Sequence, residues 1–141
     1  MFEVEVDTRL GLVRTLRSFH GVAAGRIVAP VLARSQVIGG VAQGISYALY
    51  EERRLDPRSG LLLTGGLEDY RIAGIADVGA SEVHFVEEGF DNANGGGVGL
   101  AELVTLAPAA AIGNAIFDAT GFRPRDLPIR PERVLAGMVP V

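Results

Sequence analysis

Val37-Ile38-Gly39-Gly40-Val41-Ala42-Gln43-Gly44-Ile45-Ser46-Tyr47-Ala48-Leu49 is the stretch on which the fold turns. Val37, Ile38, Val41, Ile45, Ala48 and Leu49 recur at spacings of one, three and four, which is one face of an α-helix. The pattern predicts a helix over Val31 to Arg53, entered at Pro30, where a missing N–H removes no helical bond. Gly39, Gly40 and Gly44 each cost such a helix up to ~1 kcal/mol relative to alanine. Something therefore packs closely on that backbone, either a neighbouring helix or a ligand.

Upstream, Phe2-Glu3-Val4-Glu5-Val6 alternates with period two. Leu12 to Phe19 follows the turn Asp7-Thr8-Arg9-Leu10-Gly11, and together they predict a β-hairpin. Downstream, Glu51 to Arg54 makes a polar helix end and Asp56-Pro57-Arg58-Ser59-Gly60 a turn. Leu67 to Asp77 is irregular, Val83 to Glu87 reads as a strand, and Gly89 to Gly99 is a polar, glycine-rich loop. Glu102 to Thr120 is helical and apolar on nearly every face, which predicts a central buried helix, kinked or begun at Pro108 and closed by Gly121. Pro124 and Pro128 extend the chain, and Pro131 opens a last short helix through Ala136. The sum is a single α+β domain over residues 1–141, a mostly antiparallel sheet of short strands with two main helices.

Composition bounds the partners. The 141 residues are 48% hydrophobic before 19 glycines are counted, which exceeds the norm of ~45–50% for apolar residues and glycine together. A lone domain of this size buries only about two-thirds of its unfolded surface, so part of the apolar surface is expected to meet a partner. Seventeen acidic residues against 13 basic, with no basic run, argue against nucleic acid. The absence of cysteine excludes disulfides, thiolate metal sites and cysteine-ligated clusters within the chain. Met1-Phe2-Glu3-Val4-Glu5 has no secretory pattern, and Leu103 to Phe117 is shorter than the ~20 residues of a membrane span. The expected location is the cytoplasm.

Four features bear on chemistry. Gly97-Val98-Gly99-Leu100-Ala101-Glu102 resembles a dinucleotide fingerprint, but its third glycine is missing and no βαβ unit surrounds it. What remains is backbone suited to a polar or anionic ligand. Glu102 is either a first-turn carboxylate favoured by the helix dipole or a general base between a glycine loop and an apolar helix. Gln43 is either an exposed polar residue or an amide aimed at a ligand for which the glycines make room. His20 and His84 have no partners at metal-ligand spacing, and no serine has a nucleophile-elbow context. Asn114 and Asp118, one turn apart, are expected to satisfy loop backbone.

The order of these segments resembles the C-terminal end of the molybdenum-binding subunit of the xanthine dehydrogenase and aldehyde oxidase family. Phe2-Glu3-Val4-Glu5-Val6-Asp7, Gly25-Arg26-Ile27-Val28-Ala29-Pro30 and Ala33 to Leu49 carry the first half of the resemblance. Asp69-Tyr70-Arg71-Ile72, Phe85-Val86-Glu87-Glu88, Ala109 to Ile116, Asp118-Ala119-Thr120-Gly121 and Arg125 to Ile129 carry the rest. The helical Gly-Gly-x-x-Gln-Gly followed at long range by Asn-Ala-Ile-x-x-Ala-Thr-Gly is its most specific part.

The resemblance implies about the last fifth of a much longer subunit, as a split subunit or a truncated piece, inactive alone. It implies a molybdenum–pterin cofactor whose metal is held by the pterin dithiolene, with Gln43 at the pterin. Gly39, Gly40, Gly97, Gly99 and Leu100 would line the cofactor. It implies Glu102 as the base that takes a proton as a water-derived oxygen attacks an aldehyde or N-heterocycle. Electrons would leave through iron–sulfur clusters and FAD on partner subunits. Against the family pattern, Ala101 replaces a glycine, Val98 a basic residue, and Ala23 and Ala29 an Asp and an Asn. Ala101 would strain the loop if that position needs positive φ. The alternative is a non-catalytic remnant that uses the same face for interaction or self-association; a third reading is a free nucleotide-binding module.

Overall fold

The computed structural model describes residues 1–138. The predicted hairpin forms as β1 (Phe2–Val6) and β2 (Val13–Ala23), paired antiparallel with Val6 opposite Val13 and Phe2 opposite Ser18. Its turn is held by Asp7, whose Oδ1 accepts from Arg9 N at 2.8 Å and Leu10 N at 3.0 Å, while its carbonyl accepts from Gly11 N at 2.7 Å. α1 (Pro30–Leu49) begins at the proline and stops four residues short of Arg53. Beyond Tyr50 the charged residues peel away into the short Leu55–Leu62 bridge.

β3 (Ala80–Val86) lies beside β2 and runs parallel to it, from Arg17 opposite Ala80 to Ala23 opposite Val86. The sheet order is β1-β2-β3, so the α+β class holds and the sheet is mixed, where a mostly antiparallel one was expected. The parallel pairing follows from α1 and the irregular segment after it, which carry the chain back to the starting edge before β3 begins.

α2 (Pro108–Thr120) bears out the start at Pro108 and corrects the expected burial. It starts at Pro108, and the residues before it form a separate 3₁₀ turn over Leu103–Thr105. It is also half-exposed: only Pro108, Ile112 and Ile116 are buried, and Phe117 faces outward. Leu103–Thr120 is by length and composition a candidate membrane span. Its regular helix of 13 residues rises only ~20 Å, short of a ~30 Å hydrocarbon core. Gly121 closes α2 in the left-handed region, at φ 73°, with its N–H on Phe117 O. α3 (Pro131–Gly137) follows.

The core gathers Val37, Val41, Ile45 and Ala48 of α1, Ile112 and Ile116 of α2, Val134 of α3, and Phe2, Val13 and Val22 of the sheet. Buried polar groups are paired across elements: Ser18 Oγ with Ser81 Oγ at 3.0 Å, and Ser46 Oγ accepting from Ala73 N at 2.9 Å. Large apolar side chains remain outside, with Ile75 99% and Val28 85% exposed and Val31, Leu32, Leu67 and Leu106 similarly open.

Candidate functional site

The site is built on two rows of α1. Gln36, Gly40, Gly44 and Tyr47 are spaced by four, four and three residues, so they stack along one side of the helix. Every one of them meets the segment that carries Glu102. Gln36 Nε2 donates to Ala101 O at 3.0 Å, and the Tyr47 hydroxyl donates to Thr105 O. A Cβ on Gly40 would stand 2.1 Å from Val104 Cγ2, and one on Gly44 2.5 Å from Pro108 Cβ and Cγ. The close approach that the glycines announced is therefore made by the protein itself at Gly40 and Gly44. Gly40 is buried under Val104, which fills the space its missing Cβ vacates.

The neighbouring row is open. Gly39 and Gln43, one turn apart, are both exposed, and nothing lies within 4 Å of a Cβ built on Gly39. Among the described residues, the Gln43 amide has no hydrogen-bond partner. A shallow cleft of about 470 Å³ runs along Val31, Arg34, Ser35, Ile38 and Gly39.

Glu102 sits at the start of the 3₁₀ turn, not inside a helix, and its side chain is exposed. Its carbonyl accepts from Thr105 N at 3.1 Å and Thr105 Oγ1 at 2.8 Å. No hydrogen bond to its carboxylate is present among the described residues. Positive φ occurs only at glycines there, so Ala101 lies in ordinary backbone and its Cβ does not strain the loop.

The glycine loop is tied to the chain before α1. Gly97 bridges Gly25, with Arg26 N on Gly96 O at 2.8 Å and Val98 N on Ala24 O at 3.0 Å. Gly25 has φ 70°, and a Cβ on it would fall 2.4 Å from Gly96 O, so glycine is required there. Gly97 is held close to Arg26 O and Ala24 O, whereas Gly99 has open space around it. Leu100 is half-buried against the core.

Other candidates fall elsewhere. Asn114 Oδ1 accepts from Arg123 Nη1 at 2.6 Å, so its partner is a side chain beyond α2 and not loop backbone. Asp118 lines a groove of about 490 Å³ between β1 and α2 that contains neither Gln43 nor Glu102. His20 packs edge-on to Phe2, with ring centroids 5.5 Å apart, and its Nε2 is buried without a partner. Burial pushes its pKa down. Tyr50, whose hydroxyl reaches Asp77 Oδ1 at 3.2 Å, has its pKa raised by burial and by that carboxylate. Gln36 and Tyr47 are the residues that sequence reasoning missed; their register with Gly40 and Gly44 was the available signal.

The sequence pattern of the molybdopterin cofactor-binding domain family matches residues 1–79. The chain belongs to that family. The resemblance drawn from the glycine-bearing helix and the Asn-Ala-Ile segment is thereby borne out. Among relatives, the chain is 38% identical to the aldehyde oxidoreductase molybdenum-binding subunit of Escherichia coli over 134 residues, 94% of this chain and 18% of that protein. It is 35% identical to a putative xanthine dehydrogenase molybdenum-binding subunit of the same organism, over 97% of this chain and 19% of that one. The chain thus spans about a fifth of the relatives it matches. The aldehyde oxidoreductase of Desulfovibrio desulfuricans superposes with a TM-score of 0.86 at 31% identity, over 96% of this chain and 15% of that chain. Quinoline 2-oxidoreductase of Pseudomonas putida superposes at 0.84 and 30%, over 95% and 17%.

A pterin of this family presents a flat ring edged with amide-like donors and acceptors. An unengaged amide at Gln43 and Cβ-free, uncrowded backbone at Gly39 and Gly99 fit such a group. Among the described residues there is no cluster of three or more His, Cys, Asp or Glu able to hold a metal ion.

Proposed function

We propose that this chain is the C-terminal part of a molybdenum hydroxylase, a cytoplasmic oxidoreductase acting on an aldehyde or an N-heterocycle and inactive until joined to the rest of its molybdenum-binding subunit. The observation that carries the reading is the pairing of an exposed, unbonded Glu102 on a segment bound to α1 with the open Gly39–Gln43 row beside it. When bound, the molybdenum–pterin group supplies two-electron oxidation with water as the oxygen source. The chain supplies the rest. The Gln43 amide gives donor and acceptor to the pterin edge, and Gly39 and Gly99 allow close approach of the backbone. The Glu102 carboxylate accepts the proton of the water-derived oxygen as that oxygen attacks the electron-poor carbon. Iron–sulfur clusters and FAD on partner subunits take the electrons.

In the assembled enzyme, Glu102→Gln is expected to abolish turnover with molybdenum content unchanged, read by steady-state oxidation of an aldehyde and by metal analysis. Wild-type rates in that variant would remove the base assignment.

A second reading rests on the exposed Val28, Val31, Leu32 and Ile75. A non-catalytic domain would use these for self-association or protein contacts. Native mass spectrometry of the endogenous chain separates the two: a larger molybdenum-bearing partner supports the hydroxylase, and a metal-free homo-oligomer supports the interaction domain.

A further inference from the structure

The geometry points to Gln36 as the positioning residue for Glu102, an inference that rests on the proposed role of Glu102 as base. With no hydrogen bond on its own carboxylate among the described residues, Glu102 is placed by its backbone alone. That backbone is fixed from α1 at both ends. Tyr47 holds Thr105 O, and the Gly40–Val104 and Gly44–Pro108 contacts seat the turn between. Gln36 holds Ala101 O, at the peptide bond that leads directly into Glu102. Tyr47 and the glycines fix the segment downstream of the carboxylate, and the next ties upstream are Leu100 on the core and Val98 N on Ala24 O, so without Gln36 the Ala101–Glu102 peptide can turn between Leu100 and Leu103. The direction of the Glu102 side chain would be lost, and the bond from Thr105 N to Glu102 O would open more often.

The contact also has a polarity that can be tested. A carbonyl accepts, so the residue at position 36 must donate. Glutamine donates at every pH. A glutamate there presents an acceptor to an acceptor while ionised, and donates only once protonated, below its ordinary pKa of ~4.3.

Amide hydrogen exchange on the full chain reads the anchoring, with Gln36→Glu and Gln36→Leu each compared with wild type at the same pH. At neutral pH both variants are expected to lose about threefold to tenfold protection at the Thr105 amide, whose acceptor is Glu102 O, the range of one exposed neutral hydrogen bond. Protection over Val37–Leu49 stays unchanged. Below pH ~4, protection returns in Gln36→Glu and stays low in Gln36→Leu. Unchanged exchange at Thr105 at neutral pH, or no difference between the variants in acid, overturns the anchoring. In the assembled enzyme, Gln36→Leu is expected to lower kcat severalfold with KM little changed, since Gln36 places a proton acceptor and binds no substrate. A raised KM with normal kcat would also overturn the assignment. Loosened exchange together with an active Glu102→Gln enzyme would leave the anchoring standing and defeat the base reading alone.

Discussion

Gly39 and Gly40 are adjacent, both glycine and both inside α1, and alanine at the two positions should act with opposite sign. In a helix interior, Gly→Ala gains ~0.8–1.0 kcal/mol from reduced backbone freedom. At Gly39 nothing stands within 4 Å of the new methyl, so the gain is realised almost whole. At Gly40 the methyl would lie 2.1 Å from Val104 Cγ2 and 3.1 Å from Val104 Cβ, where carbon contacts settle at about 3.5–4.0 Å. Val104 cannot swing away cheaply. It is β-branched, 6% exposed, and sits in the turn held by Gln36 and Tyr47. Overpacking of this kind costs ~1–3 kcal/mol, which cancels or exceeds the helix gain and leaves Gly40→Ala ~0–2 kcal/mol less stable than wild type. The helix gain is common to both variants and drops out of their difference, so the separation between them is ~1–3 kcal/mol. Urea unfolding followed by far-ultraviolet circular dichroism measures it. With an m-value of ~1–3 kcal/mol/M and no change in slope, the midpoints should differ by about 1 M, with Gly39→Ala above wild type. Val104→Ala in the Gly40→Ala background should recover part of the loss, a non-additive result for residues in contact. If both variants raise the midpoint equally, Val104 does not fill the space above Gly40 and the seating of the Glu102 segment on α1 is wrong.

Two further outcomes concern the folded chain. Ser46→Ala removes the acceptor for Ala73 N and strands a part-buried donor, so a loss of ~1–3 kcal/mol is expected, with exchange at Ala73 rising faster than in β2. His20 has a folded pKa below its unfolded value because of burial, so the unfolded chain binds more protons between the two. Its contribution is full above ~6.5 and is lost as pH falls from there toward the folded value. Stability of wild type should fall over that window more than stability of His20→Phe, as read by urea midpoints at a series of pH values, and parallel curves would show that the ring is not desolvated.

The hairpin, the glycine-bearing helix, the Gly121 cap and the Pro131 helix were legible because each is a local matter. Alternation in Phe2–Val6, the 3.6-residue period of Val37–Leu49 and the φ demands of Gly11 and Gly121 depend on neighbours in sequence. The family was legible for a similar reason, since its strongest signs are short ordered strings in α1 and α2. The parallel run of β3 on β2 was hidden, because Val83–Phe85 carries the same residue types whichever way its partner points. So was the exposure of α2: Leu103–Thr120 is apolar on nearly every face, and only packing separates the three buried positions from the rest.

The sequence by itself determined that α1 is a helix interrupted by glycines for close approach, and that a glutamate follows a glycine loop. Only the tertiary structure decided which glycine serves what. Gly40 and Gly44 admit Val104 and Pro108, Gly39 stays open beside Gln43, and Gln36 reaches across 65 residues to the carbonyl before Glu102. A missing side chain records that something comes near; what comes near is settled by the whole chain's packing, which sequence spacing does not encode.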